Sequence, residues 1–183
     1  MGLFKKLRVW ELFGRMMNSP VGTRFIDTFR KLVEKAMRLI AAGKREEPPA
    51  FTPWRKPLAE ARVSLITTAG VHLAEQEPFD TGAALGDSSY RPVPSGCDVR
   101  SLCISHTHFP LERAQADINV ILPIERLREL AGEGVIASVG EHHYCFGFDL
   151  HVKELVDPAT GTAHEIARAL RDDGVDVVLL TPG

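Results

Sequence analysis

The chain has 183 residues, room for one domain and an appendage. Hydrophobic residues make up 44% and charged residues 25%, ordinary for a globular protein with a real core, and no apolar run reaches the length of a membrane-spanning helix. Three cysteines, Cys97, Cys103 and Cys145, form no CxxC pair and follow no signal peptide, which argues against a disulfide scaffold and for a reducing cytoplasm.

The formal net charge of −2 hides an asymmetry: residues 1–44 hold ten Lys and Arg against three acids, a net of +7, so the remainder carries −9. Leu3, Leu7, Trp10, Phe13 and Met17 form a helical stripe with basic residues between them. Ser19 reads as an N-cap and Pro20 as the first position of a second helix, whose stripe is Phe25, Ile26, Phe29, Leu32, Val33, Met37 and Ile40, closed by Gly43. This basic amphipathic extension, residues 1–43, could pack on the body of the chain or on another subunit, or contact a membrane surface. No groove-reading module is present, so nucleic acid is not expected. Gly2 is followed by Lys6 where a myristoylation site wants Ser or Thr.

Residues 44–57, with Pro48, Pro49, Pro53 and Pro57, read as a stiff linker, and residues 58–183 as an α/β domain. Ala61 to Gly70 is a strand running into small residues, with Thr67, Thr68 and Gly70 at its carboxyl end. Residues 71–98 are rich in Gly, Pro, Asp and Ser and read as a long loop. Val99 to Ser105 reads as the second strand, delivering His106-Thr-His108 at its end, with Asp117 and Asn119 shortly after. Pro123 opens a helix carrying Ile124, Leu127 and Leu130, closed near Gly132 and Gly134. Val135 to Val139 is a strand or its approach, leading into Glu141-His142-His143-Tyr144. Thr162 to Arg171 is a helix with Ala163, Ile166, Ala167 and Leu170 inward, and Val175 to Leu180 a buried final strand left through Thr181-Pro182-Gly183. The alternation predicts an α/β fold with a Rossmann-like parallel sheet, incomplete at the C-terminus because a crossover helix normally follows such a strand. GxGxxG is absent.

His106 and His108, two apart at a strand end, point to one side and could work as acid/base or substrate-binding groups near neutral pH. With Asp117, His142 or Glu141 they could instead hold a divalent metal. Asp117 and Asn119 could contact substrate or cap a helix. Cys103 reads as a small core residue, Cys97 as exposed, and Cys145 as a conceivable reactive thiol beside His142 and His143.

Four runs in this order carry a resemblance: Lys56 to Leu73, Gly86 to Arg91, Ile104 to His108 with Asp117 to Leu127, and Gly174 to Pro182. Together they resemble the selenoprotein B family of glycine, sarcosine, betaine and D-proline reductases, over roughly residues 53–183. The resemblance implies a cytoplasmic oxidoreductase component that reductively cleaves a carbon–nitrogen bond of an amine or amino acid. It implies a selenocysteine nucleophile, a pyruvoyl group on a partner subunit, and thiols as reductant. The redox-active selenocysteine or cysteine of the family falls directly after the strand and turn that read Val177 to Gly183 here. The chain is therefore expected to be truncated at a selenocysteine codon after Gly183, to hold no cofactor itself and to be inactive alone. Thr67, Thr68, His106, His108, Asp117, Asn119 and Thr181 are then expected around the crevice, the two histidines as catalytic groups and the others as substrate contacts. The competing expectations are a metal-dependent enzyme built on His106 and His108, and a non-catalytic binding subunit anchored by its basic head.

Overall fold

The computed structural model describes residues 12, 15–16, 19–32, 34–35, 53–83, 86–149, 155–157 and 161–182. The stripe of Leu3, Leu7, Trp10, Phe13 and Met17, the positions Val33, Met37, Ile40 and Gly43, and residues 44–52 of the expected linker lie outside them. The described helices are α1 (Pro20–Thr28), α2 (Glu112–Ala116), α3 (Ile124–Gly132) and α4 (Thr162–Asp172). The strands are β1 (Arg62–Thr67), β2 (Val71–Leu73), β3 (Tyr90–Pro94), β4 (Leu102–Ile104), β5 (Ser138–Val139), β6 (His142–Phe146) and β7 (Val177–Thr181).

The apolar, β-branched run of β1 is the centre of the main sheet, with Val63, Ser64, Leu65 and Thr67 buried. On one side β7 pairs with it in parallel, from Val63 opposite Val177 to Thr67 opposite Thr181. On the other side β5 pairs with its first half and β6 with its second, both in parallel. Between β5 and β6 the ladder is interrupted, and the Leu65 N–H donates instead to His143 Nδ1 at 3.1 Å. A buried amide cannot go unpaired cheaply, so the imidazole stands in for a missing strand carbonyl. β3 closes the far edge antiparallel to β6.

Helices cover both faces. Ile124 and Leu127 of α3 pack in one core with Val63, Leu65, Val93 and Cys145. Ile166 and Leu170 of α4 pack in a second with Tyr144, Ile66 and Val178. Each such Leu or Ile contributes about 1.5–3 kcal/mol through burial. An ion pair between Arg62 and Asp173 fastens the start of β1 to the end of α4. On β7, which pairs only with β1 among the described strands, Leu179 and Leu180 are exposed.

The α/β class, the helices α3 and α4 and the strands β1 and β7 agree with the sequence reading, except that β7, expected to be buried, leaves Leu179 and Leu180 exposed where neither core reaches them. Four points differ. The sheet is mostly parallel rather than wholly so, because β3 runs antiparallel. The stretch 71–98 contains β2 and β3; Pro92 and Pro94 hid a strand that tolerates them because it is an edge. Val99 to Ser105 is no member of the main sheet: Val99–Ser101 is a 3-10 turn, and β4 pairs antiparallel with β2 in a separate ribbon. His142 to Phe146, expected to follow a strand, is itself β6, with His143 buried and its Nδ1 bonded inside the sheet.

Candidate functional site

β1, β6 and β7 end together, with Thr67 opposite both Cys145 and Thr181. Beyond β1 the chain turns at Gly70, whose φ of 70° lies in the left-handed region that favours glycine. Its N–H donates to the Phe146 carbonyl at 2.8 Å, and its own carbonyl accepts from the Ser105 N–H at 2.8 Å. A Cβ here would lie 2.3 Å from the Ser105 oxygen. Glycine at this position lets the loop after β4 lie directly on the strand ends, which brings His106, Thr107 and His108 there.

His106 is only 6% exposed. Its Nδ1 accepts from the His108 N–H at 3.0 Å, so a proton on the neutral ring sits at Nε2. Its ring lies 4.7 Å from that of Phe109. Burial, with nearby His108 a smaller cause, pushes its pKa down to about 4. His108 stacks on Phe148, centroids 3.7 Å apart and planes 12° from parallel. Burial lowers its pKa as well. Its Nε2 is buried without a hydrogen-bond partner, a polar atom left available to a bound molecule. Both histidines are thus held among aromatic rings with their charged forms disfavoured by burial, and His106, its Nδ1 already engaged, presents only an N–H at Nε2.

The surroundings of this pair were not evident from the sequence. Phe148, just past β6, is fixed where the Asp87 N–H donates to its carbonyl at 2.9 Å. Gly86 permits that approach, since a Cβ there would lie 2.1 Å from the same oxygen. On β2, His72 contacts the Leu73 carbonyl at 2.8 Å through Nδ1 and Ser105 Oγ at 2.9 Å through Nε2, so it steadies the loop that carries the pair. Phe79, Asp87, Ser105, His106, His108 and Phe148 enclose a small recess. The one sequence signal was the Gly-Asp-Ser-Ser-Tyr-Arg run, which marked the 86–91 segment without saying what it touches.

The other expected residues fall as follows. Thr67 is buried, its hydroxyl accepting from the Ala69 N–H at 3.2 Å. Thr68 is exposed at the rim, its N–H donating to the Thr181 carbonyl at 3.2 Å. The Thr181 hydroxyl donates to the Ile121 carbonyl at 2.7 Å, tying β7 to the segment before α3. Asp117 accepts from the N–H and Nδ2 of Asn119, both at 2.9 Å. Asn119 Nδ2 also reaches Glu125 at 2.7 Å, and its oxygen accepts the Glu125 N–H at 3.2 Å. Asp117 lines a different hollow, beside Arg100, Cys103 and Gln115. His142 begins β6 while the His106 loop lies at its other end, and no group of three His, Cys, Asp or Glu among the described residues could hold a metal ion.

Nor does a cysteine serve the recess. Cys145 is buried on β6 and burial pushes its thiol pKa far up. Burial also raises that of Cys97, which is half-buried. Cys103, expected in the core, is exposed, because β4 lies in the outer ribbon and not in the central sheet.

The loop carrying His106 and His108 stands over the carboxyl ends of a mostly parallel sheet, the place where open α/β sheets bind their ligands. Residues 49–183 match the family model described as glycine/sarcosine/betaine reductase selenoprotein B, and the chain belongs to that family of reductase components. It is 36% identical over 136 residues to the D-proline reductase subunit gamma of Acetoanaerobium sticklandii, an overlap of 74% of this chain and 54% of the relative. The chain thus spans about half the length of that relative. No solved structure matches it.

Proposed function

We propose that the chain is the part of a selenoprotein B-type reductase subunit that forms one wall of the substrate crevice. It works in the cytoplasm with partner subunits, in a Rossmann-like sheet arrangement. The reaction is reductive cleavage of the carbon–nitrogen bond of a glycine-, sarcosine-, betaine- or proline-like substrate. The C–N bond breaks, the amine leaves with a proton, the carbon gains hydrogen, and a dithiol that supplies two electrons becomes a disulfide. A pyruvoyl group on a partner subunit activates the amine.

The observation that carries this reading is the neutral imidazole pair His106 and His108 over the joined ends of β1 and β6, in a chain of this family. Burial that keeps an imidazole neutral makes it a hydrogen-bond donor and a proton acceptor rather than an acid, so the pair suits orienting the substrate and taking a proton from a thiol or selenol. Thr68 at the rim is the further candidate for a substrate contact. The nucleophile, a selenocysteine or cysteine, comes from outside these 183 residues, at the carboxyl end of β7. Two facts support that assignment. The three cysteines of the chain lie away from the recess. Leu179 and Leu180 of β7 are exposed, whereas parallel strands are normally covered on both faces.

The test is to read the reading frame after Gly183 and measure selenium in the protein purified from its native host. An in-frame UGA or Cys codon at the next position with the frame open beyond it, and selenium in the UGA case, supports the reading. A terminator with no coding sequence beyond it overturns it and leaves a non-catalytic binding subunit.

A further inference from the structure

The part of the chain outside the family match carries its own signal. In the described head, Leu12, Met16, Val21, Phe25, Phe29 and Leu32 are all exposed. The last four follow one another at spacings of four, four and three, the repeat of a single helical face. Their exposures are 79%, 55%, 44% and 64%. The rings of Phe25 and Phe29 lie 4.7 Å apart, so the apolar surface is contiguous. α1 is fixed locally: Pro20 stands at its first position, and Ser19 Oγ accepts the Gly22 N–H at 3.2 Å.

The charges are arranged around that face. Arg24, Lys31 and Lys35 recur at seven and four, a basic row beside the apolar one. Arg30 falls on the opposite face, paired with Glu34 at 2.9 Å. Apolar rows flanked by Arg and Lys suit the boundary between lipid headgroups and acyl chains. The rings enter the apolar layer while the long basic stems carry their charges back to the phosphates. No described helix is long and apolar enough to cross a membrane, so such a segment lies on the surface.

We propose that the segment bearing Val21, Phe25, Phe29 and Leu32 anchors the protein to an anionic lipid surface. The charge distribution selects this occupant. Residues 1–44 carry +7 and the remainder −9, so an anionic surface draws in the head and turns the body away. A second copy brings two basic rows together, which repel. The family match begins at residue 49, so the anchor is an addition to the reductase portion and independent of its chemistry.

The test is co-sedimentation of the full chain with vesicles of equal parts phosphatidylglycerol and phosphatidylcholine, against phosphatidylcholine alone. Binding to the anionic vesicles is expected at low salt and is weakened at about 500 mM salt, where surface charges are screened. Each basic side chain at an anionic surface strengthens binding about five-fold, so Arg24→Glu with Lys31→Glu and Lys35→Glu, which removes three positive charges and adds three negative ones, weakens it at least about 100-fold. Phe25→Ser with Phe29→Ser abolishes it. These side chains are exposed, so circular dichroism and thermal unfolding of the body stay unchanged. Failure to bind anionic vesicles, equal binding to neutral ones, or undiminished binding by either variant overturns the proposal. So does a dimer in sedimentation velocity that the two Phe substitutions dissolve, which would assign the face to a second copy.

Discussion

Gly70 and Ser105 meet backbone to backbone: the Ser105 N–H donates to the Gly70 carbonyl at 2.8 Å, and no Cβ fits between them. This contact seats the histidine loop on the sheet. Gly70→Ala combines a left-handed conformation, which opposes an L side chain by about 1–2 kcal/mol, with a backbone clash. The expected outcome is a loss of at least about 2 kcal/mol in urea unfolding. Wild-type stability would show that the loop is not held this way.

Stability should fall on acidification before the carboxylates titrate. His106 and His143 are both pushed down to about 4 by burial, from an ordinary value of 6.5. Between those values the unfolded chain takes up protons that the folded chain refuses. The stabilisation is therefore complete above pH 6.5 and is lost as pH falls toward 4, by at most about 3 kcal/mol per histidine. Unfolding midpoints at intervals across that window measure it. In His106→Asn the slope should drop by about one proton; an unchanged slope removes His106 as a contributor.

Thiol labelling should rank the cysteines. Cys103 is exposed, Cys97 half-buried with its thiol raised, and Cys145 fully buried. Iodoacetamide followed by peptide mass spectrometry should modify Cys103 first and leave Cys145 untouched until the chain unfolds. Cys103→Ser should change stability by less than about 0.5 kcal/mol. Fast labelling of Cys145 in the native protein would contradict its position in the core.

Asn119 and Thr181 should act on stability. Asn119→Ala removes the bonds that join Asp117 to the start of α3 and should cost about 1–2 kcal/mol. Thr181→Val keeps the shape but removes the donor to Ile121, costing about 1 kcal/mol. In the full reductase complex, substrate KM should stay unchanged in both; a large KM rise would make them substrate contacts.

His108 should act on turnover. In the full complex, His108→Gln removes an ionisable ring and its stack on Phe148. Amine release should fall about 100-fold or more if the imidazole transfers a proton. Phe148→Leu tests the stack separately and should lower turnover less. Full activity in His108→Gln would confine the residue to packing.

The sequence by itself determined the elements with long, regular signals. Val63 to Ile66 read as a buried strand and Val177 to Leu180 as a strand, although Leu179 and Leu180 stay exposed, and Ile166 with Leu170 gave the inward stripe of α4. It also offered His106 and His108 together, since two positions apart in one loop are never far from each other. The four runs of family resemblance set the class. The tertiary structure alone decided who meets whom. β2 and β4 are three residues each, too short for any period, and exist because they pair with each other. β3 escaped notice because its prolines are tolerable only at an edge, and an edge is a property of the assembled sheet. His143 reads as a solvent or site residue until the gap between β5 and β6 supplies it with the Leu65 amide. Phe148 and His72 joined the recess through contacts distant in sequence. Local propensity acts over a few residues, whereas register, edges and the partners of buried polar groups are fixed by pairing across the chain.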